Sequence, residues 1–208
     1  IIESMKTLVN NLAFRHAYQG FFLLLMIAIP NITLGMTTLY NNQTGLTFTK
    51  LESWGVIAIN LIIFYLTYLW AKSEGLMTRF RLDLKDAKAI IWGFLTIFLM
   101  GVIGSNLMLL THTNYHAELQ KTLTTTPILP VTIGMITTAF LQEILFRKWI
   151  FTWLAPYSKT AVLVSTGLFC LFHMPTNLAY LTLYIGMGLA LSMVYQKREN
   201  LSASITLH

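Results

Sequence analysis

What most constrains the fold of this chain is a succession of apolar stretches, each close to the length needed to cross a bilayer. They lie near 17–39, 54–71, 89–110, 128–146, 160–176 and 178–195, and a further one opens at 201. A spanning helix needs about 20 predominantly apolar residues at about 1.5 Å rise each. Composition agrees. The chain is 55% hydrophobic and only 11% charged, against about 25% charged in soluble domains. The expectation is an all-α polytopic transmembrane helical bundle of seven or eight spans, with residues 1–208 as a single integral membrane domain. The residues from Leu201 to His208 are too few to cross a bilayer, so the native chain is expected to continue beyond them.

Orientation follows from the basic residues. With the N-terminus inside, Lys6, Arg15, Lys72, Arg79, Arg81, Lys85, Lys88, Arg147, Lys148, Lys159, Lys197 and Arg198 fall on cytoplasmic stretches, leaving Lys50 and Lys121 outside. This places a multi-pass protein in the cell membrane with a cytoplasmic N-terminus. The net charge of +6 is accounted for by topology and by attraction to anionic lipid, and no basic run interleaved with aromatics argues for nucleic acid. The first apolar run, around FFLLLMIAIP, lacks a small-residue cleavage site and reads as a retained span broken by Pro30. Cys170 is single and within a span, so it offers neither an intrachain disulfide nor a cysteine metal site.

The connections are less informative. Residues 72–88 mix Arg, Lys and Asp with Leu, Met and Phe at spacings suited to a short helix on the membrane surface. In the outer loop near 111–127, His112 and His116 are four apart with Glu118 nearby; the segment is short, polar and Thr-rich, and these read as solvated loop residues. No internal repeat supports an inverted-repeat transporter.

Three ionisable residues lie inside apolar stretches: Glu143, His173 and His208. An acid in hydrocarbon costs several kcal/mol, and such residues mark functional sites by default. Glu143 and Arg147 stand at i and i+4 in the favourable order for an ion pair, which alone reads as scaffold. Phe169 and His173 share a face at the same spacing, with Pro175 just beyond. By helical rise His208 lies about 15 Å from Arg198 and Glu143 about 6 Å from Arg147, both in the inner leaflet; His173 meets them only if its helix starts late or tilts.

Taken in order, Gln142-Glu143-x-x-x-Arg147, Phe169-x-x-x-His173 and Asn-Leu-x-Ala-Ser-Ile-x-x-His208 resemble the CPBP (Abi) family of intramembrane proteases. That family includes the type II CAAX prenyl endopeptidases and bacteriocin-processing or self-immunity proteins. The resemblance covers roughly 128–208; the first 127 residues match only in hydropathy. It implies hydrolysis of a peptide or protein substrate at a site open to the cytoplasmic leaflet. It places Gln142 at the base position, Glu143 and Arg147 as the supporting pair, His173 as the partner of the attacking water and His208 as an oxyanion donor. Phe169 is the motif's aromatic residue, and the family's final Asn would fall four residues past His208.

The family has Glu where this chain has Gln142. A carboxamide can hydrogen-bond a water but cannot take its proton, so general-base help of about 10²–10⁴ is expected to be lost. Either a catalytic Glu has been replaced by Gln, or a natural member has become a catalytically silent scaffold that binds a membrane-protein partner through the same groove. No cofactor is firmly implied. Glu143, His173 and His208 together are a donor set that zinc accepts, but the Glu is already offered an Arg, and water activated by Glu and His needs no ion.

Overall fold

The computed structural model describes residues 2–44, 48–77, 80–110 and 127–208. Its ordered elements are all helical: α1 (Ile2–Thr44), α2 (Lys50–Ser73), α3 (Leu84–Leu110), α4 (Ile128–Trp153), α5 (Ser158–Phe172), α6 (Leu178–Arg198) and α7 (Leu201–Leu207). Five of these, α1 to α4 and α6, are long and apolar enough to cross a membrane; α5 is an apolar helix of 15 residues. Leu, Ile, Phe and Trp side chains such as Phe21, Leu51, Trp92 and Leu163 face outward, as lipid-facing positions do. The chain is a multi-pass helical membrane protein. The loop carrying His112, His116 and Glu118 lies outside the described residues.

Two expectations change. Pro30 does not break the first span: α1 runs through it without interruption, because neighbouring side chains and backbone in a membrane helix can re-satisfy the carbonyl that proline leaves without a donor. The stretch 72–88 forms no surface helix among its described residues. Instead α2 ends at Ser73, with Gly75 at φ 71°, a left-handed conformation that glycine adopts without a Cβ clash. Asp83 and Asp86 then exchange side-chain-to-backbone bonds of 2.7 and 2.9 Å that cap α3.

Successive helices from α1 to α6, the shorter α5 included, alternate in direction. The Glu74 carboxylate, at the end of α2, accepts from Arg15 and Gln19 near the start of α1 at 2.9 and 2.7 Å. The Trp149 indole, late in α4, donates to the His16 carbonyl at 3.0 Å. Arg198, at the end of α6, bonds Asp86 at the start of α3. One end of the bundle therefore collects Arg15, Lys72, Lys148, Lys159, Lys197 and Arg198 and is here the basic end. Close helix contacts rest on small residues: a Cβ at Gly188 would lie 3.2–3.3 Å from Phe169 and Thr166, and a Cβ at Gly186 would collide with Met100.

α7 is held by a tight turn. Glu199 takes a left-handed conformation, φ 48°, and Asn200 caps α7 by accepting from the Ser202 amide at 3.0 Å. This turn sends α7 back into the bundle, where Leu201, Ser202, Ala203 and Ser204 are buried. His208 is thereby carried inward to α4.

Candidate active site

α4 changes its winding where the motif begins. After Glu143 the helix opens into a π-helical segment, Ile144–Trp149, and the Ile150 amide reaches back to the Leu145 carbonyl, an i to i−5 bond. The Ser165 hydroxyl of α5 donates to the Phe146 carbonyl at 2.6 Å. π-bulges inside α-helices are frequent at functional sites, and at this one Glu143 and Arg147 are buried in the bundle interior.

Both members of that pair are fully buried. Glu143 Oε2 lies 3.3 Å from Arg147 Nε, close enough for charge attraction but without hydrogen-bond alignment: Glu143 Oε2 and Arg147 Nε and Nη1 find no hydrogen-bond partner in the protein. The rest of the guanidinium is served by the Gly188 carbonyl, 3.4 Å from Nη2, and by the face of Phe169, 4.7 Å from the guanidinium carbon. A buried charge is costly unless paired, so the pair is what allows Arg147 to sit there. The other carboxylate oxygen, Oε1, is 2.8 Å from His208 Nδ1. With a carboxylate as acceptor, His208 Nδ1 carries the proton and donates.

His173 does not lie within a helix, as the apolar run suggested. α5 ends at Phe172 and His173 caps it. Met174 follows in the left-handed region, φ 45°, a strained conformation for a non-glycine residue, and Pro175 cannot continue the helix. His173 Nδ1 is 2.8 Å from the Phe169 carbonyl. A carbonyl only accepts, so Nδ1 donates; the neutral ring then keeps its lone pair on Nε2.

The residues singled out in the sequence do come together. Phe169 is the hub, its ring centroid 4.4 Å from that of His173 and 5.7 Å from that of His208. Gln142, His173 and His208 line one cavity of about 780 Å³, while Glu143 and Arg147 lie behind its wall. Tyr184, with its ring centroid 4.5 Å from His173, closes another side. α5 begins at Ser158 and does not start late, one of the two ways in which the spacing let His173 meet the others; the cavity reaches the helix end where His173 stands.

The lining of the cavity extends away from the basic end. Gln142 is about 17 Å of helix from Trp153, near the middle of the apolar span Ile128–Trp153. From there the lining continues to Ala139, Met135 and Gly134 of α4 and to Asn31 and Leu34 of α1, away from Trp149 and Arg15.

The donor set does not suit a metal. One oxygen of Glu143 faces Arg147 and the other accepts from His208, so the carboxylate is engaged on both sides. Among the described residues no three His, Cys, Asp or Glu side chains converge as a metal site.

Comparison with known proteins singles out the same stretch of the chain. The sequence model described as type II CAAX prenyl endopeptidase Rce1-like matches residues 124–208. This segment is similar to that family. Its match begins just before α4 and takes in every motif residue from Gln142 to His208. Over nearly the whole chain, 200 residues, the UPF0177 protein YvdC of Lactococcus lactis subsp. lactis (strain IL1403) is 26% identical, an alignment covering 92% of this chain and 75% of that protein. No solved structure matches. The matched segment thus supplies all three walls that carry Gln142, His173 and His208, and α1 completes the cavity from outside it.

Sequence reasoning passed over two amides inside spans, Asn31 on α1 and Asn60 on α2. Both were visible as polar residues in apolar runs, but a search for ionisable groups does not register a carboxamide.

Proposed function

We propose that this cavity is the site of an intramembrane endopeptidase, with residue 142 and His173 holding the attacking water. The observation that carries this reading is the shared cavity: Gln142, His173 and His208 line it, and a fully buried Glu143–Arg147 pair stands behind. The Nδ1–H of His173 is committed to the Phe169 carbonyl, so Nε2 is free to accept a hydrogen bond from the water. With a carboxylate at position 142, that side chain takes the water's proton, the water oxygen attacks the peptide carbonyl carbon, the C–N bond breaks, and the proton passes from residue 142 to the leaving amine nitrogen. His208, fixed through Nδ1 to Glu143, offers Nε2 to the developing oxyanion, a role that requires both its ring nitrogens protonated, with the Glu143 carboxylate as counter-charge.

Gln142 sets the rate. Its amide positions the water but takes no proton, so the chain as it stands is slow, and a catalytically silent scaffold that holds a partner's peptide in the same cavity is the second reading that Gln142 favours. A cleavage assay in liposomes with lipidated and leader-type peptides separates them. Gln142→Glu should raise turnover by about 10²–10⁴, and His173→Ala in that background should remove the gain. Background turnover in both proteins against a peptide shown to bind would transfer the assignment to the scaffold.

A further inference from the structure

His173, the proposed partner of the water, stands where a helix stops. α5 ends at Phe172, Met174 follows in the left-handed region, and Pro175 prevents a further turn. From its own helix the ring is held by the Phe169 carbonyl, 2.8 Å from Nδ1, by the Phe169 ring, with centroids 4.4 Å and planes 40° apart, and by the nearly perpendicular Phe172 ring at 5.9 Å. All three contacts belong to the end of α5 and move with it. A single hydrogen bond at Nδ1 leaves the ring able to tilt about that point, and a bond accepted at Nε2 weakens steeply once its donor is out of line.

Among the described residues, the ring that meets His173 from another helix is Tyr184. Its centroid lies 4.5 Å from that of His173, with the planes 30° apart. Rings so little tilted cannot come that close side by side, so Tyr184 covers a face of the imidazole in an offset stack. The local sequence builds this contact. Asn177 caps α6 by accepting from the Tyr180 amide at 2.9 Å, which fixes where the helix begins and so where Tyr184 falls on it. One turn further on, Gly188 lets α6 close on α5, since a Cβ there would lie 3.2–3.3 Å from Phe169 and Thr166. Tyr184 and Gly188 are i and i+4 and share a face, so the close approach at Gly188 sets the distance at which Tyr184 meets His173. Tyr184 also lines the cavity with Gln142 and His208.

We propose that Tyr184 is a positioning residue: its ring, anchored on α6, fixes the plane of the His173 imidazole and so aims Nε2 at the water held with residue 142. The ring, and not the hydroxyl, carries this role. The proposal rests on the cavity being a hydrolytic site and adds the residue that sets the geometry of its histidine.

The test has two arms, both on the full chain in nanodiscs. The first follows cleavage of a leader-type peptide in the Gln142→Glu background. Added to it, Tyr184→Leu should lower kcat by about tenfold to 10²-fold, the scale of a misplacement of about 1 Å, with KM little changed; Tyr184→Phe keeps the ring and should recover most of the loss. The second arm needs no turnover. With 13C-labelled histidine, the His173 ring protons, assigned by His173→Ala, are shifted upfield by the rings that cover them. Tyr184→Leu should move them downfield and Tyr184→Phe should not, while the His208 signals, whose ring contact is with Phe169, stay in place in both. A kcat for the leucine variant equal to that of Gln142→Glu alone, a phenylalanine variant as slow as the leucine one, or His173 and His208 signals moving together would overturn the proposal. If Gln142→Glu itself cleaves nothing, hydrolysis is defeated and the second arm alone decides the role of Tyr184: a shift confined to His173 and to the leucine variant sustains it, and unchanged signals overturn it.

Discussion

Two arginines tie helices together in this molecule, and they do so in opposite ways. Arg198, at the basic end, is partly exposed and richly bonded: Nε donates to Asp86 at 2.7 Å, and Nη2 to both oxygens of Asp83 at 2.9 and 3.1 Å, while Asn200 adds a bond to Asp86 at 2.8 Å. Arg147 is wholly buried, its ion pair is 3.3 Å long, and two of its nitrogens lack a hydrogen-bond partner. A clasp built only for stability optimises its hydrogen bonds. A buried pair that must also present His208 to a cavity is held by charge, by Phe169 and by the Gly188 carbonyl, with part of its bonding capacity unspent. Unused bonding capacity in a buried polar group calls for an explanation, and the proposed site beside this pair offers one.

The sharpest way to break the comparison is Glu143→Ala. Removing one partner of a buried pair leaves an uncompensated charge, and the expected loss is about 3–5 kcal/mol, read as poor yield and early thermal unfolding. His208 loses its Nδ1 acceptor in the same variant. Unchanged stability would mean that Arg147 does not need its partner and would remove the distinction between the two clusters.

Phe169→Leu tests the aromatic share of the same site. Leucine keeps an apolar side chain against Ser165 and Gly188 but gives up the ring that faces Arg147 at 4.7 Å and both histidines. A desolvated cation–π contact is worth up to about 2 kcal/mol, so stability should fall by less than in Glu143→Ala. Activity gained with Gln142→Glu should suffer more than stability does, because His173 and His208 lose their common support. Equal stability of the leucine variant and the parent would assign Phe169 to packing alone.

How much of this was legible beforehand can be traced residue by residue. Glu143 and Arg147 were readable as a pair because i, i+4 spacing is local, and the grouping with His173 and His208 was readable because ionisable residues in hydrocarbon need one another. The π-helical turn after Glu143 was not, since the Phe146 carbonyl is taken by Ser165 from another helix, a tertiary contact that no local pattern encodes. The surface helix at 72–88 failed for the same kind of reason: Asp83 and Asp86 are held by Arg198 and Asn200, more than a hundred residues away, and capping α3 displaced the helical alternative. The position of His173 turned on Met174 and Pro175, where the proline was visible but the left-handed residue before it was not.

Arg198→Ala sharpens the other side of the comparison. Its partners Asp83 and Asp86 cap α3 in any case, and water reaches Arg198, so the loss should be smaller than in either variant above. It should also shrink as salt is raised, because exposed pairs are screened while buried ones hardly are. Thermal unfolding of the parent, Arg198→Ala and Glu143→Ala at low and high ionic strength gives the answer. A salt-independent loss in Arg198→Ala would place that cluster with the buried kind.

The smallest expected effect belongs to the third ionic contact, Glu74 with Gln19 and Arg15, which joins α2 to α1 at the basic end. The hydrogen bond from Gln19, followed by that from Arg15 and the charge of its guanidinium, holds the Glu74 carboxyl below its ordinary value of 4.5. A lowered folded-state pKa means that the unfolded chain binds the proton more readily, so the contact stabilises above the ordinary carboxylate range and is lost as pH falls through the lowered value. Stability measured from neutral pH into acid should therefore contain a small decline below about pH 4.5 that Glu74→Gln removes, while the two proteins converge at the acid end. Because Arg15 is more than half exposed, the difference at neutral pH should also diminish with salt. An acid decline of the same size in Glu74→Gln and the parent would show that the tie between α1 and α2 rests on packing, including the Phe22–Trp70 ring contact at 4.3 Å, and leave Arg198 as the surface charge cluster that shapes the basic end.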